Sequence, residues 1–312
     1  MGISDLSAQH VLIARNPHAG RRCRTSVVER LAGLLREAGL VVRVLTEIDR
    51  FAEEAELLHR SGQLRAVVAA GGDGTVGLIA HRTSPGVAIA ILPLGTENLL
   101  ARQLGISADA ATVCNAILRG KTRRLDAGRV QGRLFLLMVG CGFDADVVRR
   151  LHASRSGHIH HLSYVKPILQ SIRNYDYPDL RVYCESPAAT SDCDEESRPG
   201  CGGPVCLTAK WVFAVNLPRY AMGLRIAPEA RGDDGLLDVG TFGRGSLWHG
   251  LRYLTGVALG CHVGWSDFAL SRVRRVRIES DVPVPYQLDG DPGGYLPVEI
   301  EVLPLRLTVV VP

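Results

Sequence analysis

The sequence has no run of about 18 consecutive apolar residues, so no membrane-crossing helix is expected. Its opening residues, Met1-Gly2-Ile3-Ser4-Asp5-Leu6, offer neither a basic nor an apolar segment, which argues against a secretory signal. Leu6 stands where a myristoylation pattern requires Ser or Thr. Aromatics make up only 5% of the chain and leave little for stacking bases. A net charge of +4 is too small and too dispersed for nucleic-acid binding, although it suits anionic partners. The eight cysteines include no C-x-x-C pair and, with no signal, read as reduced thiols of a cytoplasmic protein.

What the chain does have is an ordered set of glycine-bearing loops. At 312 residues it is long for a single core and reads as two domains. In the first, residues 1–122, apolar strands at His10–Ala14, Val41–Leu45, Arg65–Ala70 and Val87–Leu92 alternate with helices near 25–38, 49–60, 98–104 and 109–119, with Asp49 as an N-cap. That alternation predicts an α/β domain with a parallel sheet covered on both faces. Three polar loops fall at strand carboxyl ends, where such sheets bind ligands: 16–20, 71–75 and 93–98. In Gly71-Gly72-Asp73-Gly74-Thr75 the glycines allow close approach of backbone to an anion, and the helix that follows points N–H groups at it. A carboxylate repels phosphate, so Asp73 is left to ligate Mg²⁺, to hold a neighbouring loop or to bond a ribose hydroxyl. The loop does not end in Gly-Lys-Ser/Thr as a Walker A loop does.

Beyond residue 122 the texture becomes that of strands. Segments 124–130, 133–139, 180–184, 205–215, 235–242, 272–280, 284–288, 298–302 and 305–311 predict a mostly β domain, a sandwich, over 123–312. Helices are expected near 162–175 and 246–259. Residues 186–203 read as a flexible polar insert, and His158, His160 and His161 as a solvated cluster. Exposed strand edges allow pairing into a homodimer.

Taken together, the motifs resemble the diacylglycerol kinase catalytic domain superfamily, which includes bacterial lipid kinases, sphingosine kinases and, more remotely, NAD kinases. The resemblance runs through Asn16-Pro17-His18-Ala19-Gly20, the glycine loop, Leu92-Pro93-Leu94-Gly95-Thr96-Glu97-Asn98, Leu125-Asp126-Ala127-Gly128, Gly140–Ala145, Arg231–Asp238 and Gln287-Leu288-Asp289-Gly290-Asp291. It implies nucleotide contacts from Asn16, Gly20, Gly71, Gly72, Asp73, Gly74, Thr75, Gly95, Thr96, Glu97, Asn98 and Asp126. It also implies a structural Mg²⁺ on Asp234 with the carbonyls of Arg231 and Leu236.

Asp291, standing where the family has Glu, becomes the candidate base, with Asp289 its neighbour and Asp73 and Asp126 candidates to position Mg²⁺. Gly77, Leu78 and Leu99 also depart from the family pattern. The expected activity is ATP-dependent phosphorylation of a diacylglycerol-like or sphingoid lipid, met peripherally at a membrane surface. The alternatives are a soluble-substrate kinase of NAD kinase type and a nucleotide-binding regulatory protein of weak activity.

Overall fold

The computed structural model describes residues 8–15, 23–153, 171, 173–185, 205–220 and 223–312. Asn16, Gly20, the three-histidine cluster, the 186–203 insert and most of the helix expected at 162–175 lie outside the described residues. The chain forms two compact units, one of residues 1–125 with 305–312 and one of residues 126–304.

The first unit is the expected α/β layer structure. Strands β1 (His10–Arg15), β2 (Val41–Leu45), β3 (Leu64–Gly71) and β4 (Ala88–Pro93) pair in parallel in the order β2-β1-β3-β4. Helices α1 (Cys23–Glu37), α2 (Ile48–Arg60), α3 (Asp73–Arg82), α4 (Leu99–Gln103) and α5 (Ala110–Arg119) connect or follow them. One core layer joins Val11, Ile13, Val68 and Leu92 of the strands to Leu31 and Leu35 of α1 and Val113 and Ile117 of α5. The period-2 spacing on the strands and period-3.6 spacing on the helices bring these side chains to one face. Glu47, not Asp49, occupies the N-cap of α2, so the helix starts earlier and Asp49 falls in its first turn.

The second unit is an antiparallel β-sandwich. Strands β5 (Thr122–Val130) and β6 (Arg133–Phe135) form a hairpin at its entry. One sheet runs β12 (Phe268–Val273), β11 (Leu237–Phe242), β10 (Trp211–Val215), β7 (Met138–Cys141), β14 (Pro285–Leu288), β15 (Asp291–Tyr295). The other contains β8 (Leu180–Glu185), β9 (Val205–Ala209), β13 (Arg275–Glu279) and the start of β16 (Val298–Val310). Val139, Val212 and Val239 of the first sheet meet Val182, Ile278 and Ile300 of the second in one apolar cluster. This unit also carries the α-helices α6 (Phe143–Ala153) and α7 (Leu247–Leu259), the latter followed by a 3-10 turn at His262–Gly264. Ser246 caps α7 by accepting from His249 N at 3.2 Å.

Several strands expected as single runs are divided. Residues 205–215 break at Lys210, with β9 pairing to β8 and β10 to β7 and β11, so the chain changes sheets at a sandwich corner. The run near 272–280 begins earlier and breaks at Arg274 for the same reason. In the opposite sense, 298–302 and 305–311 form one strand, β16, which passes Leu305 at φ 50°. The predicted strand 133–139 splits at Leu136 and Leu137, whose amides are drawn off to a side chain described below.

Candidate active site

Gly71 lies opposite Pro93 in the parallel β3–β4 pair, so the loops that follow these strands emerge side by side. Leu94 N donates to Gly71 O at 2.9 Å. A β-carbon on Gly95 would collide with the Gly72 backbone and lie 2.6 Å from Asn98 Oδ1, so the two loops meet through bare backbone. Asn98 closes its own loop at φ 49°: its Oδ1 accepts from Gly95 N at 2.8 Å and its Nδ2 donates to Gly95 O at 2.9 Å.

Asp73, the first residue of α3, reaches across to α4. Its Oδ2 accepts from Leu99 N at 2.9 Å and its Oδ1 from Leu100 N at 3.0 Å, two of the amides a helix start leaves unpaired. Of the three roles open to this carboxylate, the geometry shows it holding the neighbouring loop. Burial raises its pKa, and the two amide bonds work against that rise. Gly74 and Thr96 are exposed, Thr75 N donates to Gly72 O at 2.9 Å, and Glu97 lies 3.9 Å from Arg102.

In the second unit the acidic residues fall into distinct surroundings. Asp126 is fully buried and accepts from Gly235 N through Oδ2 at 2.7 Å, while its own N donates to Gly232 O at 2.7 Å. It therefore clamps the loop that carries Arg231, Asp234 and Leu236. Asn216 ties in the same region, donating to Asp126 O at 3.1 Å and Leu136 O at 2.7 Å.

Asp289 and Gly290 form the two-residue turn between β14 and β15, with φ 48° and 90°. The Asp289 carboxylate does not face outward. Its Oδ2 accepts from Leu136 N at 2.6 Å and its Oδ1 from Leu137 N and Met138 N, each at 2.9 Å. Two residues on, Asp291 is exposed and faces His152 Nε2 at 3.7 Å, longer than a hydrogen bond. The two acids of the Asp-Gly-Asp turn are thus an anchor and a free carboxylate.

The same unit holds an apolar pocket with a cavity volume of about 70 Å³ beneath an open mouth. Phe143 and Trp211 stack on one side with ring centroids 4.7 Å apart, and Phe242 and Tyr253 meet at 4.5 Å. Val147, Val148 and Val257 add to the wall, and Asp144 and Tyr220 interrupt it. Tyr220 OH donates to Asp144 Oδ1 at 2.6 Å, and Gln287 Nε2 donates to Oδ2 at 3.0 Å. Gln287 is fully buried, and its Oε1 accepts from Gly290 N at 2.7 Å, so the amide joins the pocket acid to the turn before Asp291. Desolvation pushes the Asp144 carboxyl up to about 6 despite both hydrogen bonds. Sequence reasoning gave Asp144, Tyr220 and Gln287 no role. The available signal was an acid placed between Phe143 and Ala145 in an otherwise apolar run.

For the expected structural Mg²⁺, Asp234 offers one carboxylate beside the Arg231 and Leu236 carbonyls, and oxygen donors are what a hard cation takes. Asp234 Oδ1 accepts from Leu236 N at 3.1 Å, and Oδ2 lies 3.6 Å from Arg272. Arg272 also approaches Asp238 at 3.3 Å. Burial raises the Asp238 pKa, Arg272 lowers it, and Asp234 and Glu229 raise it again. Among the described residues no three His, Cys, Asp or Glu side chains converge as a metal site, so backbone oxygens and water would have to complete it.

Two loops that meet through glycines at the ends of parallel strands, and a β-sandwich carrying an acidic turn and an apolar pocket, are the features set beside known proteins. Residues 10–130 match the diacylglycerol kinase catalytic domain, and residues 137–311 match the YegS C-terminal NAD kinase beta sandwich-like domain. The chain belongs to the diacylglycerol kinase catalytic domain superfamily.

Relatives include a Bacillus subtilis diacylglycerol kinase, 24% identical over 96% of this chain and 95% of the relative. A probable lipid kinase YegS-like of Pseudomonas aeruginosa is 30% identical over 94% of this chain and 92% of its own length. An uncharacterised Synechocystis protein is 24% identical over 79% of this chain, which spans 54% of that relative. Among solved structures, a putative diacylglycerol kinase from Bacillus anthracis superimposes with a TM-score of 0.71 at 20% identity, covering 98% of both chains. That likeness is one of fold.

Proposed function

We propose that this protein is an ATP-dependent lipid kinase that moves the γ-phosphoryl group of ATP to a hydroxyl of a diacylglycerol-like or sphingoid lipid. The observation that carries the lipid half is the aromatic and aliphatic pocket of the sandwich. A substrate as polar as NAD would leave its groups unpaired against such a wall, whereas a hydrocarbon chain fills it. The names of the B. subtilis and P. aeruginosa relatives point the same way.

On this reading the fused loops after β3 and β4 receive the nucleotide. Gly71, Gly72, Gly74 and Gly95 admit the phosphates to the backbone, and the opening amides of α3 face their charge. Asn16, Gly20, Thr75, Thr96, Glu97 and Asn98 line that site by resemblance. Asp73, Asp126 and Asp289 act as positioning residues, since each carboxylate is held by backbone amides.

Asp291 takes the proton of the lipid hydroxyl as its oxygen bonds the γ-phosphorus and the bond to the β–γ bridging oxygen breaks, releasing ADP. Mg²⁺ bound with the nucleotide would neutralise phosphate charge, and Asp234 with the Arg231 and Leu236 carbonyls would hold a separate structural ion. No helix among the described residues is long and apolar enough to cross a membrane, and the lipid would be met peripherally at a bilayer surface.

The test is transfer of label from [γ-³²P]ATP with Mg²⁺ to micellar diacylglycerol, monoacylglycerol, sphingosine and ceramide, with soluble NAD in parallel and Asp291→Ala as control. Label in a lipid, absent from the control, is the expected result. Label in NAD alone, or equal label from the Asp291→Ala variant, would overturn the reading.

A further inference from the structure

Asp144 is an expensive residue for its place. Every other side chain that shapes the pocket wall around it is aromatic or aliphatic, apart from Tyr220. Asp144 is half-buried, and against such a wall its carboxylate loses part of its hydration, so leucine there would cost the fold less. An ionised carboxylate has about four acceptor positions on its two oxygens. The protein supplies two donors, Tyr220 OH to Oδ1 and Gln287 Nε2 to Oδ2, and no described Lys, Arg or His forms an ion pair with it. The orientation of the group is nevertheless fixed. Gln287 spends its oxygen on Gly290 N, which leaves its NH₂ directed at Asp144. The result is a preorganised acceptor, partly unfilled, on the wall of a hydrocarbon-lined cavity.

We propose that Asp144, assisted by Tyr220, recognises a hydrogen-bond donor on the ligand of this pocket, so that the protein selects amphiphiles whose chain carries a second donor, an ammonium or a hydroxyl, besides the hydroxyl that reacts. This deepens the lipid-kinase reading and rests on it for the identity of the reacting group. The Tyr220 hydroxyl both donates and accepts, so it can remain on Asp144 or rotate to share the incoming donor. A fully esterified glycerolipid, with one hydroxyl only, leaves this acceptor unfilled. A single-chain amino alcohol or polyol lipid fills it. The Gln287 bridge places the recognised donor three hydrogen bonds from Gly290, the residue next to Asp291, which links correct filling of the pocket to the setting of the proposed base.

The test is binding to the full chain, without nucleotide, of four twelve-carbon probes below their micellar concentrations: dodecylamine, dodecan-1-ol, dodecyltrimethylammonium and methyl dodecyl ether. The first two carry donors. The third carries charge without a donor, and the fourth carries neither. Trp211 in the pocket wall supplies a fluorescence readout, and calorimetry supplies an independent one. Hydrogen bonds to charged groups predict that each donor probe binds about tenfold or more tighter than its donorless analogue. Asp144→Leu should abolish both preferences while keeping the ether affinity. Asp144→Asn should keep the alcohol preference and lose that for the amine.

Lowering the pH through about 6 should weaken amine binding only, since the Asp144 carboxyl then becomes neutral; Tyr220 and Cys141 are the other titratable groups against it, and burial pushes the Cys141 thiol up, away from this range. Equal affinity for all four probes, or a preference that survives Asp144→Leu, would overturn the proposal. If Asp144→Leu lacks a cooperative melt, the Asp144→Asn comparison and the pH series decide alone. Absence of phosphate transfer to any lipid would sink the kinase reading and leave this binding result standing.

Discussion

Substituting the two acids of the β14–β15 turn should give opposite outcomes. Asp289 gives Oδ1 to two amides and Oδ2 to a third. In Asp289→Asn the amide oxygen can keep Leu137 N and Met138 N as neutral bonds, but its NH₂ then confronts Leu136 N–H, donor against donor. One charge-assisted bond is lost, a buried amide is left without an acceptor, and two bonds are weakened. At about 1.5–3 kcal/mol per charged bond the total is on the order of 3 kcal/mol. Backbone strain does not enter, since Asn tolerates the φ of 48° as well as Asp does.

All three tryptophans, Trp211, Trp248 and Trp265, fall within residues 126–304, so their fluorescence in urea follows the unfolding of that unit. With a slope of about 2 kcal/mol per molar urea, the midpoint should fall by about 1.5 M. Asp291→Asn, at an exposed side chain, should leave the midpoint where it is and remove phosphate transfer. An Asp289→Asn protein with an unchanged midpoint and no transfer would refute the assignment, because it would put the Asp289 carboxylate in the chemistry and not in the scaffold.

Three further outcomes follow from the geometry. Asp144 is raised from 3.8 in the unfolded chain to about 6, so between those values the folded state holds the extra proton and stability falls as pH rises. Relative to Asp144→Asn, the wild type should lose up to about 3 kcal/mol between pH 4 and pH 7 in urea titrations, and parallel curves would contradict the shift. Gly95→Ala should weaken nucleotide binding and lower stability by about 1–3 kcal/mol, because the methyl meets the Gly72 backbone; a wild-type melting temperature and nucleotide affinity would show that the loops are not fused as described. Millimolar Mg²⁺ should raise the melting temperature of the wild type but not of Asp234→Asn; an equal rise in both would place the ion elsewhere.

The layout of the first domain was legible because a covered parallel sheet writes itself as apolar runs separated by helical periodicity. The glycine loops were legible too, since Gly72 and Gly95 touch backbone to backbone and no other residue fits. The sandwich was legible in kind but not in its joints. Residues 205–215 are largely apolar on both sides of Lys210, and one charged residue in such a run does not by itself mark a change of sheet. The break at Leu136 and Leu137 is imposed by a carboxylate some 150 residues away. The pocket network was invisible for the same reason, with 76 residues between Asp144 and Tyr220 and 143 between Asp144 and Gln287. The motifs gave no sign that the oxygens of Asp73 and Asp289 are committed to backbone amides.

The turn at Asp289 and Gly290 also has a consequence for how this segment can change over evolution. Its length is gauged from both ends, by Asp289 on the 136–138 amides and by Gln287 on Gly290 N. One added residue between 287 and 291 would tear one of these bonds loose and turn Asp291 to the opposite face of β15. Side chains here can be exchanged one at a time, but the spacing cannot drift. The segment behaves as a fixed-length gauge, and variation in reach must come from the side chain at its tip.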